Sequence, residues 1–316
     1  MAEQAPPTVV AIVGPTASGK TALSIAVARE LGGEIIACDS RTVYREFDIG
    51  TAKPTMEERA GIKHYAIDVA DPTEDYTVAR FIEEGARAIA EIEALGKISI
   101  VTGGTGFYSR ALLEGLDIPN VAPQPELRAQ LRELADRQGN DVLHQRLAQV
   151  DPQSAARLNA NDRFRVVRAL EVHAVTGVPM SQAAGRKKTP YRTIWIGLTA
   201  NDRAVLHQAI GRRLDEQMEA GLLSETERLY ARYGPHQKLM HTVNYKQLVQ
   251  LLEGKLDKQT ALKQAAQHNV QLARRQLIWF RANPAITWYA IDALSRAELT
   301  AAVLGHIKDA VISGQR

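Results

Sequence analysis

The sequence predicts an α/β fold of the P-loop type, a parallel sheet with helices on both faces, interrupted by a helical insertion. Three observations predict it. Apolar strand segments alternate with helix-period segments through the first third of the chain; Gly14 to Thr21 fits G-x-x-x-x-G-K-[ST] directly after an apolar run; and strand character returns at Thr193 after a long helical block.

Thr8 to Val13 is the first strand, and its apolar run ends at the glycine that opens the loop. The next segment, from Lys20, places Leu23, Ala26, Val27 and Leu31 at helical spacing, and Glu34 to Cys38 returns to strand, followed at once by Asp39. A helix over Val78 to Leu95 follows from Thr77 as N-cap, from Val78, Phe81, Ile82, Ile89, Ile92 and Leu95 on one face, and from Gly96 as its stop. The strand Ile98 to Thr102 runs into Gly103-Gly104-Thr105 with no carboxylate, which argues against a motor or switch hydrolase, where a strand-end Asp holds Mg²⁺. Asp117 to Pro125 carries three prolines and reads as a boundary. Residues 120–189 form the insertion, whose clearest helix runs from Asp162 to Thr176 and stops at Gly177 before Pro179. After the basic turn Arg186 to Pro190, Thr193 to Leu198 is a buried strand, so 1–119 and 190–316 form one discontinuous core. Long helices, one of them over Asp202 to Ala220, fill most of the remainder, with a last strand at Ile286 to Ile291.

The chain has 316 residues, of which 45% are hydrophobic, enough for a large core. Its single cysteine, Cys38, excludes an internal disulfide or cysteine metal cluster. With no leader-like start and no run long enough to span a membrane, a cytoplasmic monomer is expected. The net charge of +3 is unevenly placed. Between Asn120 and Arg192 there are 12 Lys/Arg against 7 Asp/Glu, and Lys258 to Ala290 carries five basic residues and no acid, a footprint of either a polyanion-binding face or a solvated basic helix.

The loop Gly14-Pro15-Thr16-Ala17-Ser18-Gly19-Lys20-Thr21 is a diphosphate or nucleotide cradle. Its backbone amides turn toward phosphate oxygens, Lys20 adds a charge, Thr21 offers a hydroxyl to Mg²⁺, and the helix beginning there adds its positive end. The cradle alone does not name a reaction, because kinases, hydrolases and other diphosphate-handling enzymes share it.

Asp39-Ser40-Arg41-Thr42-Val43-Tyr44 through Asp48-Ile49-Gly50-Thr51-Ala52-Lys53-Pro54, together with the loop and Gly103-Gly104-Thr105-Gly106-Phe107-Tyr108, resembles the tRNA dimethylallyltransferase family. The resemblance continues through Asn161-Asp162, Arg165 and Arg168-Ala169-Leu170-Glu171 to Arg275-Gln276 and Trp279-Phe280-Arg281. One position departs: where the family usually has Gly-Tyr, this chain has Asn244-Tyr245.

The resemblance implies transfer of a dimethylallyl group from dimethylallyl diphosphate to N6 of the adenosine 3′ to the anticodon, in tRNAs reading codons that begin with U. The cofactor it implies is Mg²⁺, and the partner is the tRNA anticodon stem-loop. Asp39 is then the general base at a strand end, although it could also bind Mg²⁺ through water or cap a turn. Arg213 corresponds to a diphosphate contact in the family, or is a surface arginine paired with Asp215 or Glu216. Thr16 and Thr105 contact diphosphate and nucleotide, or cap turns. RNA contacts are expected from Asp39, Ser40, Arg41, Thr42, Thr105, His241, Lys246 and Arg275 in the core. In the insertion they are expected from Arg163, Phe164, Arg165, Val166, Val167 and Arg168, unless the arginines of that helix are structural.

Three other readings use the same loop: prenylation of free AMP, ADP or ATP, a nucleoside or shikimate-type kinase, and a noncatalytic nucleotide-switched RNA-binding module. The basic insertion has no purpose for a free nucleotide, and a kinase leaves the Asp39 to Pro54 block unexplained.

Overall fold

The computed structural model describes residues 6–186, 189 and 191–313. Eight strands are present among them: β1 (Thr8–Val13), β2 (Glu34–Ala37), β3 (His64–Tyr65), β4 (Ser99–Gly103), β5 (Leu116–Asp117), β6 (Gly185–Arg186), β7 (Arg192–Thr199) and β8 (Thr287–Ala290). Six of them form one sheet in the order β3-β2-β4-β1-β7-β8, and every neighbouring pair is parallel. β1 lies between β4 and β7, with Val9 opposite both Ser99 and Thr193. The chain leaves β1 toward β2 on one side and adds β7 and β8 on the other, an arrangement that opens a crevice beyond the carboxyl ends of the strands.

Both faces of the sheet are buried, which is why β1 reads as a continuous apolar run. Val9, Ala11 and Val13 join a cluster with Phe81, Ile89 and Ile92 of the Val78–Ala94 helix. Val10 and Ile12 face the other way, against Leu23 and Val27 of the Lys20–Leu31 helix and Leu299, Val303 and Ile307 of the Arg296–Ser313 helix. Thr77 caps the Val78–Ala94 helix by accepting the Arg80 amide, as its sequence predicts.

Glu114–Thr189 forms a unit of its own, starting a few residues before the predicted boundary at Asn120. The shift has a local cause: β5 pairs antiparallel with β6, so the segment begins at a two-stranded ribbon. The proline-rich stretch lies inside the unit. Lys187, Lys188 and Pro190 of the basic turn lie outside the described residues. The unit packs Leu131, Leu143, Leu147, Val166, Val167 and Leu170 into a core separate from those of the sheet. At its centre Glu171, fully buried, accepts from Arg128 at 2.7 and 2.8 Å, from Arg168 at 2.6 Å and from the Gln124 amide at 2.7 Å. Burial pushes its carboxyl up, and these donors outweigh that and hold it at about 2.

In the sheet unit, the Asp48–Lys53 stretch is braced from three sides. Lys53 donates to the Tyr44 carbonyl at 2.9 Å and to Asp48 and Asp68 at 2.6 and 2.5 Å. Glu225, buried, accepts the Ile49 and Gly50 amides at 3.0 Å each and the Tyr245 hydroxyl at 2.6 Å. The third brace is Asn244. Its φ of +78° suits glycine, yet its amide is buried and fully used: Nδ2 donates to Gly50 O and Gln217 Oε1 at 3.3 Å, and Oδ1 accepts from Asn269 at 2.7 Å.

Asn244→Ala keeps the backbone strain and loses these bonds, so unfolding in denaturant should show a loss of about 2–3 kcal/mol. Asn244→Gly loses the same bonds without the strain and should be about 1 kcal/mol less damaging. Equal losses would mean the positive φ carries no cost.

Candidate active site

β1 ends at Gly14, whose φ is +146° and where an added Cβ would stand 2.6 Å from the Leu198 carbonyl oxygen. Only glycine fits, and the chain is turned there into a loop that closes at Gly19, directly before the Lys20–Leu31 helix. Ser18 is buried and donates to the Pro15 carbonyl at 2.9 Å; Lys20 reaches the same carbonyl at 2.6 Å. Arg213, from the Arg203–Glu219 helix, donates to the Thr16 hydroxyl at 2.5 Å.

Lys20 and Arg213 are therefore two cations at one loop. Burial and the neighbouring Arg213 charge lower the Lys20 pKa from 10.5 to about 7, against an opposing pull from Asp39. Burial likewise lowers that of Arg213, opposed by Asp39 and Glu216. The reading of Arg213 as a surface arginine paired with Asp215 or Glu216 does not hold, because its guanidinium is turned to Thr16 at the loop.

Thr16, Ala17, Gly19, Lys20, Thr21, Asp39, Thr42 and Arg213 line a single cavity of about 740 Å³ at the carboxyl ends of the strands, together with Gly103, Gly104 and Gln276. Gly14, Pro15 and Ser18 shape the loop behind it. Asp39 follows β2, and its Oδ1 accepts the amides of Arg41 at 2.7 Å and Thr42 at 3.4 Å, which fixes the carboxylate and leaves Oδ2 free among the described residues. Thr105 accepts the Ser40 amide through its hydroxyl at 3.1 Å. The Thr42 hydroxyl is buried without a protein partner. Cys38 is buried in the core, and that burial, with Asp39 beside it, raises its thiol well above the usual range.

The described residues contain no group of three or more His, Cys, Asp or Glu side chains able to hold a metal. The oxygen donors lining the cavity include the Thr21 hydroxyl and the Asp39 carboxylate, with the Glu58 and Glu216 carboxylates also on its wall. That sparse set suits Mg²⁺, which keeps several waters and takes other oxygens from a phosphate substrate.

His241, Lys246 and Arg275 are exposed and do not line the cavity, although Arg275 adjoins Gln276, which does. In the insertion, Arg163, Phe164, Val167 and Arg168 border a smaller pocket of about 240 Å³ with Arg128 and Arg132. Phe164 is 72% exposed, and Arg165 is paired with Asp162 at 3.3 Å on the surface. Arg163 bonds to Asp136 and Asn140. Two expectations are corrected. Val166 and Val167 point into the insertion core, 0% and 3% exposed, so their side chains serve packing. Arg168 is committed to Glu171 and to the Val121 carbonyl at 3.1 Å, a structural anchor in the first place.

The chain matches the IPP transferase family profile over residues 42–283 and the isopentenyl transferase profile over 7–72. It belongs to the IPP transferase family. The tRNA dimethylallyltransferase of Thermomicrobium roseum is 45% identical over 284 residues, 90% of this chain and 86% of that one. That of Carboxydothermus hydrogenoformans is 41% identical over 93% of this chain and 95% of its own. The crystal structure of a full-length tRNA isopentenylpyrophosphate transferase from Bacillus halodurans superposes with a TM-score of 0.71 at 34% identity, covering 98% and 99% of the two chains. A eukaryotic dimethylallyltransferase acting on tRNA gives 0.77 at 26% identity over 98% of this chain and 80% of that one.

The sequence quoted Arg275-Gln276-x-x-Trp279 as a mark of this family without reading a role for Gln276, which the structure places at the loop itself. Glu225 and Asn244, which brace the Asp48–Lys53 stretch, were also not legible, because their partners lie more than 170 residues away.

Burial and the Arg213 charge hold Lys20 below its unfolded pKa. The unfolded chain thus keeps this proton from pH 7 to 10.5 where the folded chain releases it; the cost to the native state is full below pH 7 and is relieved as pH rises above it. A bound anion reverses the shift. Inorganic diphosphate should bind with uptake of close to one proton above pH 7, and its affinity should fall by up to about tenfold per unit beyond that contributed by its own titration. Calorimetry in buffers of different ionisation enthalpy reads the uptake, with Lys20→Met as the baseline. Equal uptake in both proteins would show that Lys20 is charged throughout.

Proposed function

We propose that the protein transfers the dimethylallyl group from dimethylallyl diphosphate to N6 of the adenosine 3′ to the anticodon, in tRNAs reading codons that begin with U, and releases diphosphate. The observation that carries this reading is one cavity lined by two cations, Lys20 and Arg213, together with the fixed carboxylate Asp39. Relatives named tRNA dimethylallyltransferase at 41–45% identity over most of the chain support it.

The chemistry follows from the placement. The exocyclic amine of adenine is a weak nucleophile, since its lone pair is delocalised into the ring. It attacks C1 of the allyl group, the C1–O bond breaks, the electron pair leaves with diphosphate, and the N6 proton passes to Asp39. Asp39 is held for this by the Arg41 and Thr42 amides. As the C1–O bond lengthens, negative charge grows on the diphosphate, and Lys20, Arg213 and the loop amides face that charge already oriented. Mg²⁺ held at Thr21 would add charge neutralisation to the same oxygens.

The acceptor adenosine lies in an RNA loop and must leave its stack to enter a cavity. We assign recruitment of the tRNA to the exposed basic residues of the insertion, Arg163 and Arg165, with Phe164 as a stacking surface, and to His241, Lys246 and Arg275 of the sheet unit. The protein acts as a cytoplasmic monomer in this reading, and among the described residues no helix is long and apolar enough to cross a membrane.

Labelled dimethylallyl diphosphate offered with tRNA, AMP, ADP or ATP should label tRNA alone, in an EDTA-sensitive reaction. Label on a free nucleotide would establish the alternative transferase. Asp39→Asn should slow single turnover by about 10²–10⁴ at unchanged tRNA affinity; a wild-type rate would remove Asp39 from the chemistry.

Loop RNA contributes a slope of about −0.7 in log K against log[salt] for each neutralised phosphate. Replacing Arg163 and Arg165 together should make the measured slope shallower by up to about 1.4, with donor binding untouched. An unchanged slope would assign both arginines to the surface of the fold alone.

A further inference from the structure

Gln276 sits on the Lys258–Arg281 helix and joins two separate segments through one amide. Its Oε1 accepts the backbone amide of Thr16 at 2.8 Å, and its Nε2 donates to the Gly104 carbonyl at 3.1 Å. Thr16 belongs to the loop, and its hydroxyl receives Arg213. Gly104 precedes Thr105, whose hydroxyl holds the Ser40 amide and whose own amide donates to the Cys38 carbonyl at 3.2 Å, on either side of Asp39. A chain of contacts therefore runs from the diphosphate cations to the general base, and Gln276 is its middle link.

The neighbouring packing holds this link in place. A Cβ at Gly104 would stand 2.2 Å from the Gln276 amide nitrogen, so only glycine lets the amide seat. One turn further along the same helix, Trp279 closes on Gly106, where a Cβ would stand 1.9 Å from its ring. The helix is seated on the Gly104–Gly106 turn at both points. Using the Thr16 amide for Gln276 also removes it from the set that can face phosphate, so this part of the loop is set by protein contacts and not by the ligand.

We propose that Gln276 is a positioning residue that sets the register between the diphosphate end of the donor and Asp39, and hence between the allylic carbon and the amine that attacks it. The inference rests on the prenyl-transfer reading above. A misplacement of about 1 Å between reacting groups costs on the order of 10²-fold in rate, while binding of each substrate by itself is little affected.

The test uses the full chain. Gln276→Ala, Gln276→Glu and Gly104→Ala are compared with wild type for single-turnover transfer to tRNA, and for inorganic diphosphate and tRNA affinity measured separately. Gln276→Glu keeps the acceptor for Thr16 and loses the donor for Gly104; Gly104→Ala displaces the amide from the opposite side. The expected result is a transfer rate lower by about 10- to 100-fold in each, with both affinities within about threefold of wild type. The Gly104→Ala, Gln276→Ala double variant should be no slower than the slower single one, since both break one link. Wild-type rates in the Gln276 variants would overturn the inference, as would a rate loss matched by an equal loss of diphosphate affinity, or multiplicative losses in the double variant. A wild-type protein that transfers to no acceptor would overturn the proposed function itself, and the register inference with it.

Discussion

Lys20 and Arg213 line one cavity within reach of each other's charge, and contacts across the sheet unit hold them there. Desolvation lowers the pKa of both, and the Arg213 charge lowers that of Lys20 further. Left to relax, either side chain would swing into solvent. The Pro15 carbonyl holds one and the Thr16 hydroxyl the other. The loop carrying those two groups is fixed in turn by Gly14 against Leu198 and by Gln276 against Gly104. A polyanion entering the cavity meets both cations already oriented, an arrangement that favours departure of a charged leaving group.

A second tier of contacts explains a motif that the loop does not need directly. Asp48 to Lys53 contains no catalytic candidate, yet Lys53, Glu225 and Asn244 all spend buried hydrogen bonds on it. Thr51 and Ala52, within this stretch, line the cavity opposite the loop. Buried polar groups of this kind stabilise one arrangement when satisfied and penalise every other, so they shape a wall more sharply than apolar packing would. Asn244 shows the principle at one residue: a backbone conformation suited to glycine is occupied by a side chain that bonds the wall at Gly50 and is itself held by Gln217 and Asn269.

The sheet, the loop and the insertion were legible in the sequence because each is encoded locally. Thr8 to Val13 followed by Gly14 to Thr21 announces a strand and a phosphate cradle within a single window, and the N-cap Thr77 marks the start of its helix to the residue. The strand His64–Tyr65 was missed, since two residues carry no period. Asp39 and Arg213 were placed by resemblance, and the cavity brings them together as expected. Helix spacing says which residues share a face, and a buried partner such as Glu171 decides whether that face turns inward, as it does at Val166; for Arg168 the structural alternative that the sequence left open is the one its bonds to Glu171 support. Gln276 was visible only as a letter in a motif, because both of its partners lie far along the chain.

The antiparallel ribbon β5–β6 sets Leu116 opposite Arg186 and Asp117 opposite Gly185, so the inserted segment leaves and rejoins the chain at almost the same point. Closing that gap with a short turn would cost little loop entropy, and the segment has its own apolar core. Its length and helix packing can therefore change without altering the strand order of the sheet. The ribbon makes the inserted unit a segment with a single point of entry and exit, closed on its own core.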